Sequence, residues 1–120
     1  MKVECSKFDI DCITSISEVL QFLSGKWTFL VITELLKEPQ RFNHLRRSLG
    51  NINTKGLTDT LRNLEVHQMI KREVFSTVPV TVEYSITEKG KAFTDVFNEI
   101  RRWKNEWEAP VNSNKSVKLN

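Results

Sequence analysis

Long apolar runs are missing from this chain of 120 residues. The longest unbroken apolar stretch spans residues 29–32, whereas a membrane-spanning helix needs about 20 apolar residues. The opening sequence MKVECSKFDIDC places charges where a secretory signal would have its apolar core. We therefore expect a cytoplasmic protein with no membrane partner.

Residue types that build metal, disulfide and phosphate-binding sites are scarce. The chain contains two cysteines, two histidines and four glycines. The histidines are well separated, so no metal-ligand spacing appears, and two cysteines in a reducing compartment argue against a disulfide scaffold. The sequence contains no phosphate-binding glycine loop and no nucleophile motif on a predicted strand–turn–helix. We expect no metal, no cofactor and no enzyme activity, while chemistry at the thiols stays open.

Linkers rich in proline, glycine or serine are also absent, which predicts one domain. The net charge of +3 is small but unevenly distributed. Residues 37–72 carry eight basic and three acidic residues, a local charge of +5, whereas the rest has ten basic and twelve acidic residues, or −2. A concentrated basic segment suits a polyphosphate partner, because neutralised phosphates release their counterions. An ordinary solvated helix surface is the alternative explanation.

Apolar spacing predicts two helices at the start of the chain. Four residues mark the first helix by recurring at spacings of three and four: Ile13, Ile16, Leu20 and Leu23. Such a stripe indicates one buried helix face, and the helix should end near Gly25. Residues 27–36 are apolar almost all round, which a helix tolerates only when neighbours surround it. They predict a central core helix that ends before Pro39.

The basic segment predicts two further helices, at residues 43–49 and 54–67, separated by a turn at residues 50–53. Asn53 is placed to cap the free amides of the fourth helix. At 3.6 residues per turn, the inward side of that helix consists of Leu57, Leu61 and Leu64. The opposite side carries Lys55, Asp59 and Arg62, flanked by Thr58 and Asn63. The inner side holds the helix, and the outer side is free to bind a partner.

The apolar period changes to two after Met69. Residues 80–86 alternate as a half-buried strand does, and residues 70–75 are rich enough in strand-forming residues to pair with them. The turn at residues 77–79 contains a proline, which is tolerated at a hairpin tip. Thr87 is placed to cap a last helix. This order of elements predicts a mainly helical α+β fold of the winged helix-turn-helix type, which presents a helix and a hairpin to duplex DNA.

The last helix carries an apolar seam that consists of Phe93, Val96, Ile100, Trp103 and Trp107. This seam is narrower and more aromatic than one face of a 120-residue monomer usually requires. We expect a homodimer contact shared with Ile13 and Ile16, so that dimerisation helices lie at both ends of the fold. Packing on the monomer's own core is the alternative. The predicted organisation is a flexible arm at residues 1–11, a domain at 12–108 with its dimerisation helix at 88–108, and a disordered tail at 109–120.

Several short strings occur in one order along the chain. They are SGKW at residues 24–27, RFNHLRRSL from Arg41, INTKGL from Ile52, LRNLE from Leu61 and VPVTVEYSITEKG from Val78. A trailing helix with a tryptophan, Trp103, follows them. Each string alone is weak, but in this order the chain resembles the HxlR-type winged-helix transcriptional regulators, which are related in fold to the MarR regulators. The resemblance covers about residues 12–108.

The resemblance implies a homodimer that binds pseudo-palindromic operator DNA and usually represses transcription, with residues 54–67 as the recognition helix. The implied DNA contacts are Thr54, Lys55, Thr58, Arg62 and Asn63 of that helix, Arg41, His44, Arg46 and Arg47 of the supporting helix, and Thr77 and Thr81 of the wing. Arg62 is the first choice for a base contact, because its planar fork matches guanine O6 and N7. The cations of the supporting helix would contact phosphates, which fix register without reading sequence.

The chain departs from the family pattern in three places. Thr81 stands where the wing strand commonly has a basic residue, so we expect wing contact to be weaker or to use backbone amides. Asn51 and Asn53 stand where a glycine and a serine commonly open the recognition helix. Some members of the family respond to electrophiles or oxidants through an N-terminal cysteine, usually followed by proline. Here the matching pair is Cys12 and Ile13.

Cys12 is the candidate redox sensor of this chain. Its place at a predicted helix start favours the thiolate through the helix dipole, whereas Asp9 and Asp11 oppose ionisation. Once oxidised, Cys12 could pair with Cys5 or with the partner's Cys12. A small buried apolar residue at the dimer interface is the alternative role.

Two other functions stay open. A winged helix can serve protein contact alone, since a fold does not dictate its partner, although such a module has no need of concentrated cations. The signal can also be a small aromatic ligand in place of a thiol modification. Its crevice would be surrounded by Trp27, Phe29, Trp103 and Trp107.

Overall fold

The chain folds into five helices and three strands within residues 8–108, the part that this computed structural model describes. The elements are α1 Ile10–Leu23, α2 Thr28–Lys37, β1 Gln40–Arg41, α3 Phe42–Ser48, α4 Thr54–Val66, β2 Ile70–Phe75, β3 Thr81–Ile86 and α5 Glu88–Trp107. This is the mainly helical α+β arrangement that the sequence predicts. Helices α3 and α4 form the helix-turn-helix pair, and β2 and β3 form the wing. The predicted tail at residues 109–120 lies outside the described residues, as do residues 1–7 of the predicted arm.

Helix α1 begins at Ile10, so the predicted flexible arm is wrong at residues 10–11. Asp9 explains the early start, because its carboxylate accepts a hydrogen bond from the Cys12 backbone N–H at 2.8 Å. Such a cap stabilises a first turn whatever its apolar content. Ile10 lies three residues before Ile13 and continues the same apolar spacing, so the predicted helix began one turn too late. The predicted burial of this stripe within one chain is also wrong, because Ile13, Ile16 and Leu20 are exposed.

The two helix caps predicted from the sequence are confirmed. The Asn53 side chain accepts from the Gly56 N–H at 2.6 Å, where α4 begins. The Thr87 hydroxyl accepts from the Gly90 N–H at 3.1 Å, where α5 begins. Each cap satisfies a backbone donor that has no acceptor within its own helix. The starts of both helices are therefore encoded by local residues.

The sheet is antiparallel, with the strand order β1-β3-β2. Strand β1 is not predicted by the sequence; its residues Gln40 and Arg41 pair with Tyr84 and Glu83. The Gln40 side chain is buried and donates to the Glu34 carbonyl at 2.8 Å. A strand of two residues shows no alternation along the sequence, so its existence depends on these tertiary contacts.

Strands β2 and β3 form the predicted hairpin, with its last register pair between Phe75 and Thr81. Strand β3 begins one residue later than predicted, because Val80 lies in the tip beyond that pair. The predicted alternation of burial along β3 is not seen, since all six residues are half-buried. Strand β3 is the central strand of the sheet, so on each face its side chains are flanked by those of β1 and β2 and are only partly exposed.

The core lies between α2, α4 and the base of the wing. It consists of Val31, Ile32, Leu35, Leu45, Ile52, Leu57, Leu61, Leu64, Met69 and Ile70. The three leucines predicted for the inward side of α4 all belong to it. The recognition helix expected from the sequence is therefore anchored directly in the core.

Helix α2 supplies Val31, Ile32 and Leu35 to the core, but its predicted all-round burial is wrong. Phe29 is 41% exposed, and its ring meets Phe97 edge-on with centroids 4.8 Å apart. A small domain buries a smaller share of its surface than a large one, and α2 keeps one side partly open to solvent. Among the described residues no single helix is long and apolar enough to cross a membrane, and α1 and α2 pass that test of length and composition only as a pair bent by 76°.

The end of α4 is bonded to the beginning of α5. The Thr87 hydroxyl donates to the Gln68 carbonyl at 2.7 Å, and the Lys89 ammonium donates to the His67 carbonyl at 2.8 Å. The His67 ring also packs on Phe22 of α1, with centroids 4.4 Å apart. The segment that ends α4 therefore contacts both terminal helices.

Substitution of Gly90 by alanine should crowd this joint. An added Cβ would collide with the Met69 carbonyl and lie 2.6 Å from Ile86 Cγ1. We expect Gly90→Ala to lower the free energy of unfolding by about 1–3 kcal/mol, as overpacking does, in a urea denaturation series. Thr94→Ala, at an exposed position of α5, should change it by less than about 0.5 kcal/mol. Equal stability of the two variants would contradict the crowded joint.

Candidate nucleic-acid interface

The turn that leads into α4 is held by Arg46. Gly50 and Asn51 both adopt left-handed conformations, with φ of +77° and +58°, and asparagine tolerates that region better than most residues. The half-buried Arg46 donates through Nε to the carbonyl of the buried Ile52 at 3.0 Å. Arg46 therefore connects α3 to the backbone from which α4 begins, a role that its predicted phosphate contact does not include.

Helix α4 turns its three core leucines inward and its charged residues outward, as predicted. Thr54, Lys55 and Arg62 are exposed, and Thr58 is half-buried. Asp59 is exposed as well, and its side chain forms no ion pair within residues 8–108. Asp59 is spaced along the helix so that it could pair with Lys55 or with Arg62, but neither ion pair is formed. Both cations extend from the helix without an acidic partner among the described residues.

Asn63 is the recognition-helix candidate that lies apart from the others. It lines a cleft of about 770 Å³ together with Phe22 and His67, on the side of α4 that faces α1. Arg62 and Thr58 line a groove on the side that faces the wing. Asn63 also provides the backbone carbonyl that lies 2.8 Å from His67 Nδ1. The structure therefore places Asn63 at the flank of the proposed contact surface.

The candidates that precede α4 have different surroundings. His44 and Arg47 are exposed on α3. Arg41 lies in β1 with Glu83 as its register partner, and Glu83 is in turn paired with Glu73. Directly opposite residues of antiparallel strands share a face. The carboxylate of Glu83 beside Arg41 weakens the attraction of Arg41 for phosphate, whereas Glu73 lies one strand further away and pairs with Lys71.

The wing tip consists of hydroxyl-bearing and apolar residues. Residues 76–81 contain no lysine or arginine. The Thr77 hydroxyl donates to the Pro79 carbonyl at 2.8 Å and lies 3.3 Å from the Thr81 hydroxyl, while Val78 is fully exposed. Because these threonine hydroxyls are engaged within the tip, the tip has little to offer a phosphate.

Arg72 is a candidate that the sequence alone does not reveal. It lines the groove of about 400 Å³ between α4 and the wing, together with Thr58, Arg62 and Tyr84. Tyr84 is its register partner across the hairpin. Arg72 lies two residues after Ile70, so Ile70 and Arg72 share one face of β2. A sequence does not show which face of a hairpin meets α4, and this information comes from the packing.

Apolar side chains are exposed along α1 and along the distal part of α5. They are Ile10, Ile13, Ile16, Val19 and Leu20 on α1, and Val96, Ile100, Trp103 and Trp107 on α5. Trp103 and Trp107 are 60% and 75% exposed. Phe93 is the exception among the predicted dimer residues, because it packs on the monomer's core beside Phe97. Contiguous exposed apolar side chains of this kind usually mark a contact with another protein surface.

The other side of α5 is polar. Arg102 forms ion pairs with Glu99 at 2.7 Å and with Glu106 at 2.9 Å, and the three side chains are exposed. The hydrogen bond and the charge of Arg102 hold the pKa of the Glu99 carboxyl below its ordinary value. Helix α5 thus has one solvent-facing side and one apolar side.

Cys12 lies in the first turn of α1 and is 8% exposed. It is disulfide-bonded in the structure, and Cys5 lies outside the described residues. The Asp9 carboxylate that was expected to oppose thiolate formation is also the cap that accepts from the Cys12 N–H. Among residues 8–108, no group of three or more His, Cys, Asp or Glu side chains could hold a metal ion.

The predicted aromatic crevice is not formed within the described part of one chain. Trp103 and Trp107 lie on the exposed distal part of α5, and Trp27 lines a separate groove beside α3. Aromatic residues at helical spacing do not by themselves show which helices face one another. The cleft of about 770 Å³ lies between α1, the end of α4 and the start of α5, where Phe22 and Phe93 line it.

Arg46 and Arg47 are adjacent cations with different surroundings, which makes them a matched pair. Arg46→Ala removes the hydrogen bond to Ile52 and should lower the free energy of unfolding by about 1.5 kcal/mol, as expected for a charged donor. Arg47→Ala changes an exposed side chain and should alter it by less than about 0.5 kcal/mol. Urea denaturation measures both effects. A stability loss of the same size in the two variants would refute the structural role of Arg46.

Comparison with known sequences agrees with this architecture. Residues 22–112 match the family described as HxlR-like helix-turn-helix. YvaP of Bacillus subtilis, named as an HTH-type transcriptional regulator, is 37% identical over 93 residues, which are 78% of this chain and 86% of YvaP.

Solved structures give the same result. A protein of Enterococcus faecalis assigned to the MarR family is 31% identical with a TM-score of 0.76, over 88% of this chain and 94% of that protein. Reduced YodB of Bacillus subtilis is 30% identical with a TM-score of 0.72, over 87% of this chain and 98% of YodB. YodB is also known in diamide-treated and quinone-bound forms. With its helix-turn-helix pair, its wing and a family match over most of its length, this chain belongs to the HxlR-like helix-turn-helix transcriptional regulators, which bind DNA.

Proposed function

We propose that the chain acts as a homodimer on a pseudo-palindromic operator and represses transcription by covering a promoter. The observation that carries the proposal is the outward side of α4. Lys55 and Arg62 are exposed there, Thr58 and Arg62 border the groove beside the wing, and the opposite side of the helix is buried. A helix fixed in this way can enter a groove without changing its own packing.

Helix α4 has the dimensions of a recognition helix. Its 13 residues give a length of about 20 Å, and the major groove of B-DNA admits an α-helix. Arg62 would donate to guanine O6 and N7. His44 and Arg47, exposed on α3, would contact phosphates at the edge of the groove and set the register.

The homodimer is proposed to form through the exposed apolar sides of α1 and α5. Pairing these sides across a two-fold axis would remove the exposed isoleucines and tryptophans from water, which is favourable in proportion to the area buried. A two-fold dimer also presents two copies of α4 to half-sites about 34 Å apart, one turn of DNA. Because Thr87 and Lys89 bond α5 to the end of α4, a rotation between the paired helices would change that separation.

Oxidation or alkylation of Cys12 is the proposed signal. Cys12 lies in the first turn of α1, so a change at its sulfur would shift a helix of the proposed dimer face. Oxidation would join Cys12 to Cys5 or to the partner's Cys12, and two electrons and two protons would pass to the oxidant. Support comes from the disulfide at Cys12 and from the diamide-treated and quinone-bound forms of YodB.

A small aromatic ligand is the second candidate signal. The cleft of about 770 Å³ has Phe22 and Phe93 in its lining and reaches His67 at the end of α4. A ligand held there would act on α4 without modifying a thiol. A variant in which Cys5 and Cys12 are both serine separates the two candidates. A response that persists in this variant favours the cleft, and a lost response favours the thiols.

The first experiment is a selection of genomic DNA fragments by the reduced protein at fixed salt, repeated after treatment with diamide. Enrichment of a palindromic site would support the operator proposal. Loss of that site only after thiol oxidation would support the cysteine signal. Absence of enrichment at low salt would contradict DNA recognition and indicate a protein partner.

Arg62→Ala tests the proposed base contact. We expect it to weaken binding to the selected operator by about 1–3 kcal/mol and to relax the preference at one base pair of each half-site. Arg47→Ala should weaken binding to all sequences alike, because a phosphate contact carries no sequence information. Fluorescence anisotropy on operators with single base changes measures both. Identical specificity profiles for the two variants would refute this division of roles.

Trp103→Glu tests the proposed dimer contact. A carboxylate in the apolar seam should convert the protein to a monomer at micromolar concentration, because the charge would have to be buried without a partner. Sedimentation velocity measures the change. Asn98→Glu introduces the same charge at an exposed position about 140° around α5 and should remain dimeric. A wild-type protein that sediments as a monomer at this concentration would rule out the dimer mechanism.

A further inference from the structure

Arg62 and Arg72 lie on different elements but line the same groove. This groove lies between α4 and the base of the wing and has a volume of about 400 Å³. Its lining consists of Thr58, Leu61, Arg62, Glu65, Arg72 and Tyr84. Leu61 is buried and Tyr84 packs against the core, so the two elements that carry the arginines are held at a fixed separation.

The groove carries a net charge of +1, from two guanidinium groups and the carboxylate of Glu65. Arginine stays protonated throughout the physiological range. Within residues 8–108, the side chains of Arg62, Arg72 and Glu65 form no ion pair or hydrogen bond. Two cations that share a groove repel each other. An anion between them would remove this repulsion and accept charge-assisted hydrogen bonds.

The register of the hairpin directs Arg72 toward α4 and its neighbour Lys71 away from it. Alternate residues of a strand share a face, so Arg72 shares a face with Ile70, which is buried, and with its register partner Tyr84. Lys71 lies on the other face, where it pairs with Glu73 at 3.3 Å. Two adjacent cations of β2 therefore face opposite sides of the wing.

We propose that Arg72 binds a backbone phosphate of the operator and that this phosphate lies in the groove between Arg72 and Arg62. The inference rests on the proposed function. A phosphodiester carries one negative charge, which matches the net charge of the groove, and its two non-bridging oxygens match the guanidinium fork. The contact would supply, from the base of the wing, the cation that the tip lacks at Thr81.

Arg72→Gln and Lys71→Gln test the proposal, because each removes one charge from adjacent positions of β2. Arg72→Gln should weaken operator binding about tenfold per protomer, equally for all single-base variants of the operator. It should also reduce the slope of log K against log salt by about 0.9 per protomer. Lys71→Gln should weaken binding less than about twofold, since its charge is paired with Glu73 and faces away. Equal losses in the two variants would overturn the assignment.

Operators with a single neutral methylphosphonate identify the phosphate that is bound. With the wild-type protein, one position in each half-site should weaken binding about as much as Arg72→Gln does. The Arg72→Gln protein should be much less sensitive to that position, because only Arg62 then remains beside the phosphate, and the Lys71→Gln protein should remain as sensitive as the wild type. Undiminished sensitivity of Arg72→Gln at every position where the wild type is sensitive would overturn the proposal.

Thermal unfolding of the free variants supplies the folding control and separates DNA phosphate from a free anion. All three proteins should unfold at closely similar temperatures, and millimolar inorganic phosphate at constant ionic strength should not shift the wild type relative to Arg72→Gln. A stabilisation by phosphate that requires Arg72 would make the groove a small-anion site and overturn the DNA assignment. Failure of both wild type and Lys71→Gln to bind any DNA fragment would instead contradict the proposed function itself.

Discussion

The burial of one side of α4 is the constraint on which the rest of the structure depends. Leu57, Leu61 and Leu64 are at most 2% exposed, and burial of a leucine contributes about 1.5–3 kcal/mol. Since 3.6 residues per turn fix the angles between side chains, burial of these leucines also determines where Lys55 and Arg62 point. Rotation of the helix would bury a charge without a partner, which is strongly unfavourable. The hydrophobic core thereby sets the orientation of the polar surface.

Features encoded by neighbouring residues were predictable from the sequence. The caps at Asn53 and Thr87 require a side chain and an amide three residues apart, and the leucine stripe of α4 requires one helical period. The hairpin was predictable because its alternation extends over several residues. The outward position of Lys55 and Arg62 follows from the same helical period. Strand β1 was not predictable, because it exists through its pairing with β3.

Features that depend on contacts between distant parts of the chain were harder to predict from the sequence. From the sequence, Arg46 is predicted to be a surface cation. In the structure it donates to a backbone carbonyl, and because every residue has such a carbonyl, the sequence does not show which one is the acceptor. The sequence predicts that Asn63 flanks the contact surface of α4. The structure shows that it lines the cleft between α1 and α4, which only the packing of these two helices reveals. The sequence suggested that the tryptophans of α5 line an aromatic crevice. In the structure Trp103 and Trp107 lie on the distal part of α5 and are exposed to solvent. In each of these cases the missing information was the relative placement of two elements.

The joint between α4 and α5 has a consequence for how such a protein can change over evolutionary time. The acceptors at the joint are the main-chain carbonyls of His67 and Gln68, whereas the donors are side chains of Thr87 and Lys89. Main-chain carbonyls survive any substitution in α4, so the surface proposed to contact DNA can diversify while the attachment persists. The apolar side of α5, which is proposed to pair in a dimer, can diversify separately, provided that the first turn of α5 keeps its donors. Under the proposed function, the DNA-contact surface and the part of the pairing surface on α5 are therefore separately inheritable parts of one small domain, and a hybrid of two relatives would best be joined just before Thr87.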